Sequence, residues 1–127
     1  MDAKGNYSIV AGQAFGPKTF VWSYKANPPS SLFAGAISGA QRLPNGNTLI
    51  DDGTHGTFIE VIASGEVVWK YVNPVVTNGA LAKNAGIPTD PVRDGELMNA
   101  VFRVYRYAPT YPGLVGKTLT PSGVLEK

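Results

Sequence analysis

Apolar and polar residues alternate along this chain in runs of four to six, and each run ends in glycine, proline or asparagine. The clearest stretch is 37–73. Ser38-Gly-Ala-Gln-Arg-Leu43 leads into Pro44-Asn45-Gly46-Asn47, and Asn-Gly between two such runs is the strongest short-range hairpin signal. Thr48-Leu-Ile-Asp51 then predicts a second strand. Asp52-Gly53-Thr54-His55-Gly56 is a loop, Phe58–Ile62 a third strand, Ser64-Gly65 a turn, and Val67–Val72 a fourth strand. Four consecutive antiparallel strands joined by short loops form the unit from which propellers are built.

The end of that unit is repeated. Val21-Trp22-Ser23-Tyr24 and Val68-Trp69-Lys70-Tyr71 lie 47 residues apart, a spacing within the range of propeller blades, roughly 40 to 50 residues. Trp22 and Trp69, with Tyr24 and Tyr71, therefore read as packing residues at one repeated position of successive blades. Upstream, Asn6–Val10 and Thr19–Tyr24 predict the last two strands of a preceding blade within 1–24. Downstream, Ala100–Tyr107 and Lys117–Thr120 predict the first two strands of a following blade within 97–127. A helix over Val75–Lys83 is an open alternative to a loop, weakened by Pro74 and Gly79. The expected fold is all-β: one complete four-stranded blade flanked by two half-blades.

Repeat architectures need about three units to bury their faces, and 127 residues hold fewer than three periods of 47. If the trailing half-blade of one copy pairs with the leading half-blade of the next, a head-to-tail ring closes and sheet edges disappear. Three copies then give six blades. An open sheet, or a strand-swapped dimer, is the competing expectation.

Composition narrows the function classes. Hydrophobic residues make up 43% and charged residues 16%, which is globular. The net charge is +2 and the eleven basic residues are scattered, so the footprint of a nucleic-acid binder is missing. With no cysteine, thiolate metal sites and disulfides are excluded. No metal and no cofactor is expected. Met1–Gly5 lacks the apolar core of an export signal, and no run approaches the roughly 18 apolar residues of a membrane span. That leaves the compartment unassigned and gives no reason to expect a membrane partner.

One resemblance covers nearly the whole chain. Ser38-Gly-Ala-Gln-Arg-Leu-Pro-Asn-Gly-Asn-Thr-Leu-Ile50, Glu60-Val61, and Gly65-Glu-Val-Val-Trp-Lys-Tyr-Val-Asn-Pro74 resemble the C-terminal part of bacterial aryl-sulfate sulfotransferase-like propellers. Val101-Phe-Arg-Val-Tyr-Arg-Tyr-Ala-Pro-Thr-Tyr-Pro-Gly-Leu114, Gly5-Asn-Tyr7 and Phe15-Gly-Pro17 fit the same pattern. The resemblance implies a six-bladed propeller that moves a sulfuryl group from an aryl sulfate to a phenol through a histidine on the central channel. It also implies exported or periplasmic relatives. Much of the matching sequence is blade grammar shared by propellers that bind pyrroloquinoline quinone or nothing, and fold carries over better than activity.

His55 is the chain's one histidine and the first catalytic candidate, since a neutral imidazole serves as nucleophile or general base near pH 7. Strand alternation puts its loop at the same end as Lys25–Ala36, which in a ring is one mouth of the channel. Thr54-His55-Gly56 reads equally well as a solvated turn. Asp51 and Asp52 invite reading as an acid/base or metal pair, but adjacent strand residues face opposite sides; a strand end turning into solvent is the stronger expectation. Arg42, Arg103 and Arg106 are candidates for binding a sulfate or carboxylate, because guanidinium matches such oxyanions bidentately. Their default is packing or ion pairing. Two function classes follow: a sulfotransferase-like fragment, not expected to be catalytic as an isolated monomer, and a non-catalytic propeller-type binding or scaffold module that assembles head to tail. A single histidine and an incomplete set of blades favour the second for the isolated chain.

Overall fold

A computed structural model describes residues 11–14, 16, 18–93 and 96–126. The predicted strand at Asn6–Val10 lies outside these residues. The described chain is all-β, and within it no helix is long and apolar enough to cross a membrane. Its centre is a four-stranded antiparallel meander of β1 (Ser38–Arg42), β2 (Thr48–Asp52), β3 (Thr57–Val61) and β4 (Val67–Val72), hydrogen-bonded in that order. The two tight hairpins are set by glycines in the left-handed region, Gly46 at φ 86° and Gly65 at φ 92°, a conformation open to glycine at little cost. A bulge at Glu60/Val61 shifts the register between β3 and β4.

Strand pairing assigns every side chain to one of two faces. Ser38 pairs with Asp52 and Asp52 with Thr57, while Gly39 pairs with Asp51 and Asp51 with Phe58. Asp52, Thr57, Ile59 and Lys70 thus share what we call the histidine face. Leu49, Asp51, Phe58, Glu60, Trp69 and Tyr71 share the opposite face. β2 and β3 are almost wholly buried, whereas β4 is exposed along most of its length. The buried apolar cluster of Leu43, Leu49 and Phe58 lies on the opposite face, joined by half-buried Tyr71, Val101 and Val104.

Of the segments predicted as half-blades, the described parts around Trp22 and around 97–107 lie against this sheet, one on each side. Trp22 donates from Nε1 to the Ala63 carbonyl at 3.0 Å, and Arg42 lies over its ring at 4.7 Å, which fixes the segment around Trp22 on the histidine face. The segment around 97–107 crosses the opposite face. There Gln41 exchanges two hydrogen bonds with the backbone of Arg106, at 3.0 and 2.9 Å. Arg106 also pairs with buried Glu60 and lies 4.5 Å over the Trp69 ring. Neither Thr19–Tyr24 nor Ala100–Tyr107 is in a strand ladder, and the expected pairing of Ala100–Tyr107 with Lys117–Thr120 is not formed. The backbone of Ala100–Tyr107 is held by the Gly53 carbonyl and the Gln41 side chain instead, and the segment around Trp22 by the Trp22 side chain.

The helix weighed for Val75–Lys83 is replaced by a hairpin of β5 (Val75–Val76) and β6 (Gly79–Ala80). Two β-branched valines disfavour a helix. Asn73, which accepts from the Val75 N–H, and Gly79 at φ 106° set up the turn that brings the strands together.

Candidate functional site

The site forms where β2 hands over to β3. Gly53–His55 make one 3-10 turn, closed by Gly56 in the left-handed region at φ 51°. In a 3-10 turn residues three apart eclipse one another, which sets Asp52 beneath His55. Nδ1 of His55 lies 2.8 Å from Oδ1 and 3.0 Å from Oδ2 of Asp52, and the Thr54 hydroxyl donates to the same carboxylate at 3.3 Å. A carboxylate only accepts, so Nδ1 carries the proton of the neutral ring and Nε2 keeps its lone pair. The Asp52 side chain is 7% exposed and that of His55 36%. The carboxylate is thus buried as an anchor while the imidazole stays accessible.

The turn is clamped from below. A side chain at Gly53 would collide with the carbonyls of Ile37 and Val101, and one at Gly56 with Asn99. These close approaches are used: Val101 donates to the Gly53 carbonyl at 2.8 Å and Leu97 to the Thr54 carbonyl at 3.2 Å. Fully buried Asn99 donates to the Asn73 carbonyl at 2.9 Å, and Asn73 returns a bond to the Asn99 carbonyl at 3.1 Å. The Asn73 N–H also donates to the Gly56 carbonyl at 2.8 Å. The exit of β4, the segment around Asn99 and the histidine turn are therefore tied at one point, which limits the freedom His55 would need to lose on meeting a ligand.

His55 lines a cavity of about 370 Å³ on its own face of the sheet. Asp52, Thr57, Ile59 and Lys70 form its floor, and Tyr24, Ser31, Leu32 and Phe33 its far wall. It combines an ammonium group, hydroxyl groups and an apolar wall. Lys70 is the basic residue among its lining. Among the described residues no group of three or more His, Cys, Asp or Glu side chains is placed to hold a metal.

The arginines singled out in the sequence are engaged elsewhere, and none lines this cavity. Arg42 covers Trp22 and donates to the Gly46 carbonyl at 2.8 Å. Arg103 lies near Tyr105, 5.9 Å from its ring centre. Arg106 is held by Glu60 and Trp69. Hydrogen bonds from Asn47 and Asn45, with Arg106 beside it, hold the Glu60 carboxyl below the usual range against the opposing effect of burial.

Asp51 and Asp52 face opposite sides, as strand alternation requires, so they cannot share an ion or a proton. Neither is a solvated strand end: they are 2% and 6% exposed. The expectation of a solvent-facing end fails because segments cross both faces of the sheet at that point. Sequence reading missed the Asp52–His55 pair and Lys70. The i, i+3 spacing in Asp52-Gly53-Thr54-His55 was the available signal for the pair, and the strand alternation that places Lys70 beside Ile59 was the signal for the lysine. Trp22 and Trp69 each lie under an arginine, with Trp69 stacked on Tyr71 at 6.0 Å and 6°. Comparison with protein-family models, curated proteins and solved structures gives no match.

Proposed function

We propose that the chain is a β-propeller segment of the aryl-sulfate sulfotransferase-like kind, and that His55 takes the sulfuryl group from an aryl sulfate. The observation that carries this reading is the Asp52–His55 pair. A buried carboxylate holds Nδ1, which directs Nε2 to react and balances the positive charge the ring acquires when it does. In the first step the Nε2 lone pair forms a bond to sulfur, the sulfur–oxygen bond to the aryl group breaks, and the phenolate leaves and takes up a proton from solvent. In the second step a phenol oxygen attacks sulfur, loses its proton to solvent and restores the imidazole. Lys70 neutralises the sulfate oxygens, and Leu32 and Phe33 receive the ring. The propeller reading is supported by the four-stranded meander and by the 47-residue recurrence of a tryptophan under an arginine on each face.

The test is transfer from 4-nitrophenyl sulfate to phenol. The wild-type chain is expected to release nitrophenolate, His55→Ala to lose this activity, and Lys70→Met to raise KM about tenfold, the loss of one charge-assisted contact. Full activity in His55→Ala would overturn the assignment. The second reading, a non-catalytic propeller module, is favoured by the presence of a single histidine in 127 residues and predicts no transfer from any of these proteins.

A further inference from the structure

The two tryptophans of the repeat have the same arginine partner chemistry but unequal surroundings. On the histidine face, Trp22 is completed by the chain's own β3–β4 turn: its Nε1 donates to Ala63, and Tyr24 packs beside Gly65. On the opposite face, Trp69 lies under Arg106 in the same way, yet among the described residues its Nε1 has no acceptor, and the residue is 38% exposed. Beside it is an open hollow of about 430 Å³, lined mainly by apolar groups, Leu49, Trp69, Val104, Leu114 and Leu119, with Arg106 also in its wall. The other half of the molecule presents apolar groups with nothing over them: Phe20 is 89% and Val21 94% exposed.

Because the internal repeat shows what completes a tryptophan at this position, it also identifies the missing cover as another segment of the same kind.

We propose that a second copy of this chain docks on the Trp69 face, bringing its Phe20-Val21 segment into the hollow and a backbone carbonyl to Trp69 Nε1. The two contacting surfaces differ, so the interface is heterologous and propagates until it closes; three copies complete the ring. This rests on the propeller reading of the repeat, not on the sulfuryl chemistry: a monomer that still transfers sulfate would overturn the assembly alone.

Native mass spectrometry and sedimentation of the full chain test it, with circular dichroism to check folding. The wild type is expected at three times the 13.4 kDa chain mass. Val21→Lys places a cation in the hollow beside Arg106 and is expected to give monomers, with an unchanged spectrum. Trp69→Phe keeps the ring under Arg106 but removes the donor, and is expected to weaken assembly about tenfold, one hydrogen bond's worth. Mixing Val21→Lys with wild type should yield capped species smaller than the ring, since its Trp69 face remains able to bind. A wild-type monomer at all concentrations, as when another protein or polypeptide segment covers this face, would overturn the proposal. So would a symmetric dimer, or a trimer indifferent to both substitutions.

Discussion

Asp51 and Asp52 are neighbours in sequence, both buried, and opposite in what the protein makes of them. Asp52 faces the cavity and is engaged by His55 and Thr54. Asp51 faces the segment that crosses the other side, and neither of its oxygens has a hydrogen-bond partner. Burial pushes the Asp51 carboxyl above its usual range; the nearby Val104 backbone N–H, outside hydrogen-bonding geometry, and Arg103 oppose this, while the Asp52 charge adds to it. Two residues away in register on that same face, Glu60 is as buried as Asp51 but fully engaged by Asn45, Asn47 and Arg106. Burial alone therefore does not decide whether a carboxylate here is an asset. The number of donors aimed at it does.

Three changes would break or sharpen that contrast. The largest effect is expected from Asp52→Asn, which removes the charge behind His55 and permits the wrong tautomer. Transfer from an aryl sulfate should fall on the order of 10⁴-fold in kcat, by analogy with the loss of an orienting aspartate in hydrolytic triads, with KM little altered. An equal fall in His55-independent binding, seen as a matching rise in KM, would show that the carboxylate serves the cavity's shape instead.

Next is Glu60→Gln, which leaves Arg106 without its charge partner and weakens the bonds from both asparagines. A loss of about 2 kcal/mol in urea unfolding is expected, the scale of a hydrogen-bonded charged group that is only partly screened. Since the folded-state pKa of Glu60 is lowered, its contribution is present above the unfolded value and is lost as pH falls through the folded one. The difference between wild type and Glu60→Gln should therefore shrink in acid.

The smallest effect, and opposite in sign, is expected from Asp51→Asn. Removing an unpartnered buried charge should stabilise the fold by about 1 kcal/mol at pH 7. Here the folded pKa is raised, so the wild type is favoured in acid, and that advantage is lost as pH rises from the unfolded value, near the reference of 3.8, through the raised one. The gain from Asp51→Asn should accordingly vanish below that window. A destabilised Asp51→Asn at pH 7 would mean that Val104 and Arg103 satisfy the carboxylate better than their geometry indicates.

The central sheet was legible because its punctuation is local. Asn45-Gly46 and Ser64-Gly65 fix hairpins whatever surrounds them, and alternation from Thr48 to Val61 assigns the faces. What lies outside the sheet was less so. Ala100–Tyr107 has the composition of a strand, but pairing depends on a neighbour, and the side chain of Gln41 takes the backbone bonds that a ladder would have made. Val75–Lys83 turned on whether two valines or the residues after them would dominate, and Gly79 decided for a turn. In the site, His55 was visible as a residue and Asp52 as a carboxylate. Their contact was hidden because it arises from a 3-10 turn that Gly53 permits through close approach to Val101 and Ile37, residues distant in sequence. Lys70 was hidden for a similar reason: it belongs to the site only through the register of β4 against β3.

The four-residue link between β2 and β3 also constrains how this protein can change over generations. Gly53 and Gly56 admit no side chain, and Thr54 is 3% exposed beneath its neighbours. Of the four positions, His55 alone can be exchanged without disturbing the packing that supports it. Whatever chemistry descendants of this chain acquire or abandon at the mouth of that cavity, a single codon is where the loop can record it.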